Sequence, residues 1–144
     1  MGEGMIIIGC GGRLGQKKGF GWVWNHLDDL SKTDDITLVI TGAGGRTDEM
    51  ISQWADNRGV DQIQCPANWK KRGRNGGPHR NTLMLRILKM HNDRTFEPMA
   101  VVAFPGGPGT ANMISQAAEI GVRVIGITEV LVTPPFETIT EIRE

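Results

Sequence analysis

The chain carries no excess of charge of either sign: its 144 residues include 16 lysines and arginines against 16 aspartates and glutamates, a formal net charge of zero. A neutral balance gives no general electrostatic drive toward nucleic acid or a membrane surface, so any attraction for anions has to come from a local patch. Cysteine is scarce. The two present, Cys10 and Cys65, lie far apart, each at the end of an apolar run and neither in metal-ligand spacing. They read as buried strand-end thiols of a reduced, intracellular protein, with no metal and no cofactor implied. Long apolar runs are missing too. The first is too short for a signal peptide and has no basic segment before it, and no later one approaches a membrane span. The expectation is a cytoplasmic protein with no membrane partner.

Glycine is the abundant residue, at 20 positions, well above the usual share of about 7%. The glycines cluster in turns and follow no repeat period, which excludes collagen-like and low-complexity readings. Length and composition fit one domain, residues 1–144, able to bury its own core.

The most informative stretch is 100–118, AVVAFPGGPGTANMISQAA. Residues 100–104 are short and uniformly apolar, the pattern of a strand buried on both faces. Pro105, Gly106, Gly107, Pro108 and Gly109 can continue neither a ladder nor a helix interior. Thr110 is a good N-cap, and Met113, Ile114, Ala117 and Ala118 then mark one helix face. Strand, glycine turn and helix start are joined in the geometry that lets backbone N–H groups converge on an anion at the positive end of a helix dipole. A plain loop in an α/β protein is the alternative for any single such turn.

The same arrangement recurs. Residues 5–10, with three consecutive isoleucines, form a central strand that runs into Gly11, Gly12 and Arg13. Arg13 is either a solvated side chain or a bidentate partner for phosphate or carboxylate. A helix over 20–32 follows, with Trp22, Val23, His26, Leu27 and Leu30 on its apolar face, where a packed histidine is expected. Residues 36–41 form the next strand and lead into Gly42, Ala43, Gly44, Gly45, Arg46, Thr47 and Asp48. The helix after it presents Met50, Ile51, Trp54 and Ala55, and Gly59 closes it. Thr47 or Asp48 is expected to cap that helix; the alternative for Asp48 is an acceptor for a sugar or base.

A third strand, 61–65, has the polar alternation of a sheet edge. The stretch PANWKKRGRNGGPHRN then reads as a long irregular loop, in which Trp69, Lys70, Lys71, Arg72, Arg74 and Arg80 combine stacking and anion-pairing groups. A merely solvated basic loop is its alternative. Pro78 is expected to open a helix carrying Leu83, Met84, Ile87, Leu88 and His91, which puts Arg80 and Asn81 in the first turn. Arginine there is electrostatically misplaced unless it meets an anion. Residues 92–98 read as a polar connection, Gly121 ends the last helix, and 122–128 form a fifth strand. The tail, 129–144, fits a short edge strand or a dimer-contacting arm.

Strands alternating with helices predict an α/β, Rossmann-like three-layer sandwich on a central, mainly parallel sheet of about five strands. The glycine loops after the first, second and fourth strands then share one rim with the basic loop after the third, where open α/β sheets bind ligands.

The succession of CGGR, TGAGGRTD, the Trp69 loop leading to GPHRN, and FPGGPGT resembles the SLOG superfamily of Rossmann-like nucleotide-binding proteins, in its YspA or cpYpsA-related group, over about residues 5–128. Members include LOG-type enzymes, which release a base from a nucleoside monophosphate, and sensor domains for nucleotide-derived signals. The likeness implies that Gly106, Gly107, Gly109 and Thr110 hold a phosphate, with Arg13, Asp48, Arg80 and Asn81 lining the site. Gly11, Gly12, Gly42, Gly44, Arg46 and Trp69 complete the expected ligand-binding set. LOG enzymes carry a glutamate in PGGxGTxxE. This chain has Met113 there, and a thioether can neither move a proton nor stabilise an oxocarbenium ion. Arg46 stands where relatives commonly have glycine.

The expected function is therefore binding of a nucleotide or nucleotide-derived ligand, cyclic or ADP-ribose-like. The alternative is hydrolysis of an N-glycosidic or phosphoester bond, with Asp48 as candidate catalytic group. Nucleic-acid binding through residues 70–80 is disfavoured by neutrality and by the single aromatic among those charges. The likeness further implies a homo-oligomer, a dimer or higher, paired through helices flanking the site. Trp22, Trp24 and Trp54 are either core residues or part of that contact.

Overall fold

The computed structural model describes residues 4–12, 19–128 and 141–143. In chain order the elements are β1 (Met5–Cys10), α1 (Phe20–Thr33), β2 (Ile36–Thr41), α2 (Arg46–Arg58), β3 (Asp61–Gln64), α3 (Trp69–Arg72), α4 (Gly76–Thr95), β4 (Met99–Ala103), α5 (Pro108–Glu119), β5 (Arg123–Ile127) and β6 (Glu141–Arg143). The sheet order is β3-β2-β1-β4-β5-β6, and every pairing is parallel. The Rossmann-like α/β sandwich expected from the sequence is the observed fold. Its sheet gains a sixth strand, because residues 141–143 of the tail add to the edge beyond β5. Residues 129–140 and Glu144 lie outside the described residues.

Strand alternation divides the core into two layers. Met5 and Ile7 of β1 point to one face, where they meet Val23, Leu27, Ile51 and Trp54 of α1 and α2. Ile6, Ile8 and Cys10 point to the other, against Met84, Leu85 and Leu88 of α4 and Met113 and Ala117 of α5. A strand with both faces covered has to be apolar at every position, as β1 is. Trp54 is fully buried, while Trp22 and Trp24 pack half-buried against the same layer. The chain winds from β1 out to β3, then crosses back through α4 to β4 on the far side of β1. That reversal between β1 and β4 opens a crevice at the carboxyl ends of the strands.

Helix boundaries differ from the sequence expectation in four places. The stretch after β3 is helical: α3 and a 3-10 turn, Gly73–Asn75, lead straight into α4 at Gly76. Gly76 and Gly77, which the sequence places in the irregular loop before Pro78, sit in the first turn of α4 with the Trp69 ring lying on them. A Cβ at Gly76 or Gly77 would stand 3.1 or 3.0 Å from that ring. Helix α4 also runs on to Thr95, through most of the expected polar connection. In α5, Pro108 takes the first helical position and Gly107 the cap, so Thr110 is the third residue of the helix rather than its N-cap. Helix α2 starts at Arg46 with Gly45 as its cap, so Thr47 and Asp48 lie inside its first turn and neither caps it; Gly59 closes it as expected, at φ 70. No helix among the described residues is long and apolar enough to cross a membrane.

Candidate functional site

The glycine loops after β1, β2 and β4 meet over the crevice and enclose a cavity of about 740 Å³. The β1 loop supplies Cys10, Gly11 and Gly12, the β2 loop Gly42, Gly44, Gly45, Arg46 and Asp48, and the β4 loop Gly106, Gly107, Pro108, Gly109 and Thr110. Helix α4 adds Arg80, Asn81 and Met84. The loops are close enough to need glycine. A Cβ on Gly12 would stand 2.9 Å from Gly106 Cα, and one on Gly11 would stand 2.7 Å from the Thr47 side chain. Gly12 N–H donates to the Pro105 carbonyl at 2.9 Å, and the Thr47 hydroxyl donates to the Gly12 carbonyl at 2.6 Å, so the three loops are bonded into one rim.

Two helices begin at this rim with a glycine as cap. Gly45 precedes α2 and Gly107 precedes α5, and neither has a side chain to accept a hydrogen bond from the first turn. The first in-helix bonds are Glu49 N–H to Gly45 O and Ala111 N–H to Gly107 O, each 3.0 Å. Earlier N–H groups in each helix have no partner within it. The two ends differ in charge. The first turn of α2 carries Asp48 and Glu49, whereas that of α5 has no acidic residue. The partial positive charge is therefore offset at α2 and intact at α5.

Asp48 is buried, and its Oδ2 accepts the Gly44 N–H at 2.8 Å. Burial pushes its carboxyl above the usual range, against the lowering effects of that hydrogen bond and of the nearby Arg80 charge. Arg80 fills the space a Cβ on Gly42 would occupy. Its Nη1 donates to the Gly42 carbonyl at 2.8 Å and its Nε to Asn81 Oδ1 at 3.0 Å. Asn81, almost fully buried, passes the connection on, donating to the Gly109 carbonyl at 3.2 Å and to Asn112 Oδ1 at 3.1 Å. Two adjacent residues of α4 thus tie the β2 loop to the β4 loop.

Because α4 starts at Gly76, Arg80 and Asn81 lie in its second turn, not beside its free N–H groups. The inference of an anion from a misplaced arginine at the helix start does not hold. Arg80's partners are instead a carbonyl and an amide oxygen, with Asp48 nearby. Of the other expected residues, Gly11, Gly12, Gly42, Gly44, Arg46, Asp48, Gly106, Gly107, Gly109 and Thr110 all line the cavity with Arg80 and Asn81. Trp69 does not: it is half exposed, with its ring on Gly76 and Gly77. Arg13 lies outside the described residues. Met113 is buried in the apolar layer between α5 and the sheet, so the position of the LOG glutamate faces the core.

Cys10, Gly45, Met84 and Pro108 also line the cavity and were not anticipated. Met84 stands one turn after Arg80, which places it on the same helix face. The Cys10 thiol is pushed up to about 12, chiefly by burial, so it is an apolar wall and not a nucleophile. Cys65 is half-buried just beyond β3. Among the described residues no group of histidine, cysteine, aspartate and glutamate is placed to hold a metal ion.

No curated protein matches the chain. The segment from β1 to α3 holds the first two glycine loops, Arg46 and Asp48, and it is here, over residues 5–71, that the chain matches the model of the YspA, cpYpsA-related SLOG family.

Proposed function

We propose that the chain binds a nucleotide or nucleotide-derived ligand in this cavity, holding its phosphate at the start of α5. One observation carries the reading: two glycine-capped helices open onto one cavity that, among the described residues, has Arg46 and Arg80 as its side-chain cations. Backbone N–H groups with no side chain over them suit a phosphate oxygen, and α5 lacks the acidic residues that weaken the same effect at α2. The family match supports a nucleotide as the bearer of that phosphate. The cavity also falls within the range of small-molecule sites, about 300–1,000 Å³. Calorimetric titration with inorganic pyrophosphate, AMP, GMP, ADP, ADP-ribose and cyclic dinucleotides tests the reading. Folded protein that binds none of them removes it.

Hydrolysis of such a ligand is the second reading, favoured by Asp48 alone, a buried carboxyl with a raised pKa in the cavity wall. Incubation with nucleoside monophosphates followed by chromatography tests it. Asp48 acts as the essential group only if product forms faster with the wild-type chain than with Asp48→Ala.

A further inference from the structure

A second opening adjoins the first. It has a volume of about 680 Å³, lies over α2 and β3, and shares Gly45, Arg46 and Asp48 with the proposed phosphate cavity. The start of α2 is thus a ridge with a space on either side.

The polarity reverses across that ridge. The first space has the uncompensated start of α5 and Arg80. The groove has Glu49 and Asp56 as its own charged groups, with Ser52, Gln53 and Gln64 between them. A phosphate entering the groove would meet carboxylates. Hydroxyl and amino groups would meet acceptors instead. Those acceptors are held in place by the protein: Gln53 Nε2 donates to Glu49 Oε1 at 3.3 Å, and Gln64 Nε2 donates to Ser52 Oγ at 3.1 Å. Gln62 Nε2 donates to Asp56 Oδ1 at 2.6 Å, which orients that carboxylate from β3.

We infer that the groove is a second subsite, taking the uncharged, donor-rich part of a ligand whose phosphate sits at α5. Ribose hydroxyls or an exocyclic amino group meet that description. This inference rests on the phosphate-binding reading above and adds which way the ligand lies: from α5, across Arg46, toward β3. Ligands with a sugar or base beyond the phosphate gain contacts there that pyrophosphate lacks.

The test reads one ratio, the Kd of pyrophosphate divided by that of ADP or ADP-ribose, by calorimetry. Wild-type protein is expected to give at least about tenfold in favour of one of the two nucleotides, the worth of one good polar contact. Gln53→Ala combined with Gln64→Ala is expected to reduce that ratio by about tenfold. Glu49→Gln, on the exposed side of α2, serves as a second variant should the double change prevent folding, judged by circular dichroism and a thermal melt. If pyrophosphate binds but the ratio is near one, or survives in the folded variants, the subsite is wrong and the phosphate site stands. If neither pyrophosphate nor any nucleotide binds the wild-type chain, the phosphate site falls and the subsite with it.

Discussion

Gly12 and Gly106 touch through their backbones: a Cβ on Gly106 would stand 2.7 Å from Gly12 N, and Gly12 N–H already donates to Pro105 O at 2.9 Å. This contact closes the cavity where the chain reverses between β1 and β4. Gly106→Ala is expected to destabilise the fold by about 1–3 kcal/mol, the usual cost of overpacking, because the Gly12 backbone has to move as well as the Thr110 side chain. Gly107→Ala is the control. Nothing lies within 4 Å of its Cβ position, so it should stay within about 1 kcal/mol of wild type, the scale of an N-cap change. Thermal melts of the two variants check the contrast.

Arg80 reaches across from α4 to the Gly42 carbonyl while its neighbour Asn81 holds the Gly109 carbonyl. Arg80→Ala leaves Gly42 O without that donor and removes a positive charge from the cavity. A loss of about 1–2 kcal/mol in stability is expected, with pyrophosphate binding weakened roughly tenfold. Arg80→Lys keeps the charge but lacks the planar fork that serves Gly42 and Asn81 together, so it should recover affinity more than stability. Denaturant melts and titration separate the two effects.

How far the sequence revealed this site depends on what each residue type can signal alone. Strands β1 and β2 are legible to the residue because each is an apolar or β-branched run, MIIIGC and ITLVIT, that passes directly into glycines. The meeting of the three glycine loops follows from their all coming after parallel strands. The start of α4 is not legible, since the contact that favours small residues there, the Trp69 ring lying on Gly76 and Gly77, is made by the fold and has no local sequence mark. Asn81 reads as a ligand-lining group and does line the cavity, but its amide also spans two helices, a tertiary contact with no local sequence mark. Ala43 is similar. The β2 loop has glycines at 42, 44 and 45, but its positive φ falls on Ala43, while Gly42 is there to make room for Arg80.

Asp48 gives a pH-dependent expectation. Its native pKa is raised, mainly by burial, so its ionisation opposes folding. The penalty is absent below the unfolded value of about 3.9. It grows as pH rises through the native value and is complete above it. Asp48→Asn keeps an acceptor for the Gly44 N–H. The variant should therefore melt higher than wild type at pH 7, with the gap closing near pH 3. Removing this negative charge from the cavity should also tighten pyrophosphate binding by roughly tenfold. Melts across that pH range and titration at pH 7 check both.

Asp28 gives the opposite sign. Its carboxylate accepts from Arg58 Nε at 3.0 Å, Arg58 Nη2 at 2.8 Å and Trp54 Nε1 at 2.8 Å, joining α1 to α2. The Arg58 hydrogen bond is the main cause holding its pKa below the usual range. Stability from this group is present above the unfolded value of about 3.9 and is lost as pH falls through the native one. Asp28→Asn should lower the melting temperature at pH 7 and match wild type in strong acid. A constant deficit at every pH would mean the loss is one of packing.

Phe96 ends α4 in the left-handed conformation, at φ 59, with 86% of its surface exposed. Its N–H still donates to Asn92 O at 2.8 Å, so the helix closes as it would with glycine, but with a side chain the conformation disfavours. A ring that exposed gains little from burial to offset the strain. Phe96→Gly is expected to stabilise the fold by about 1 kcal/mol, the cost of the left-handed conformation, less the added freedom of the unfolded glycine. Phe96→Asn tolerates the same geometry without that added freedom and should do at least as well. Phe96→Val, β-branched, should be the least stable of the series. That order in thermal melts attributes the effect to backbone conformation. Equal melting of the valine and asparagine variants would attribute it to removal of the exposed ring instead.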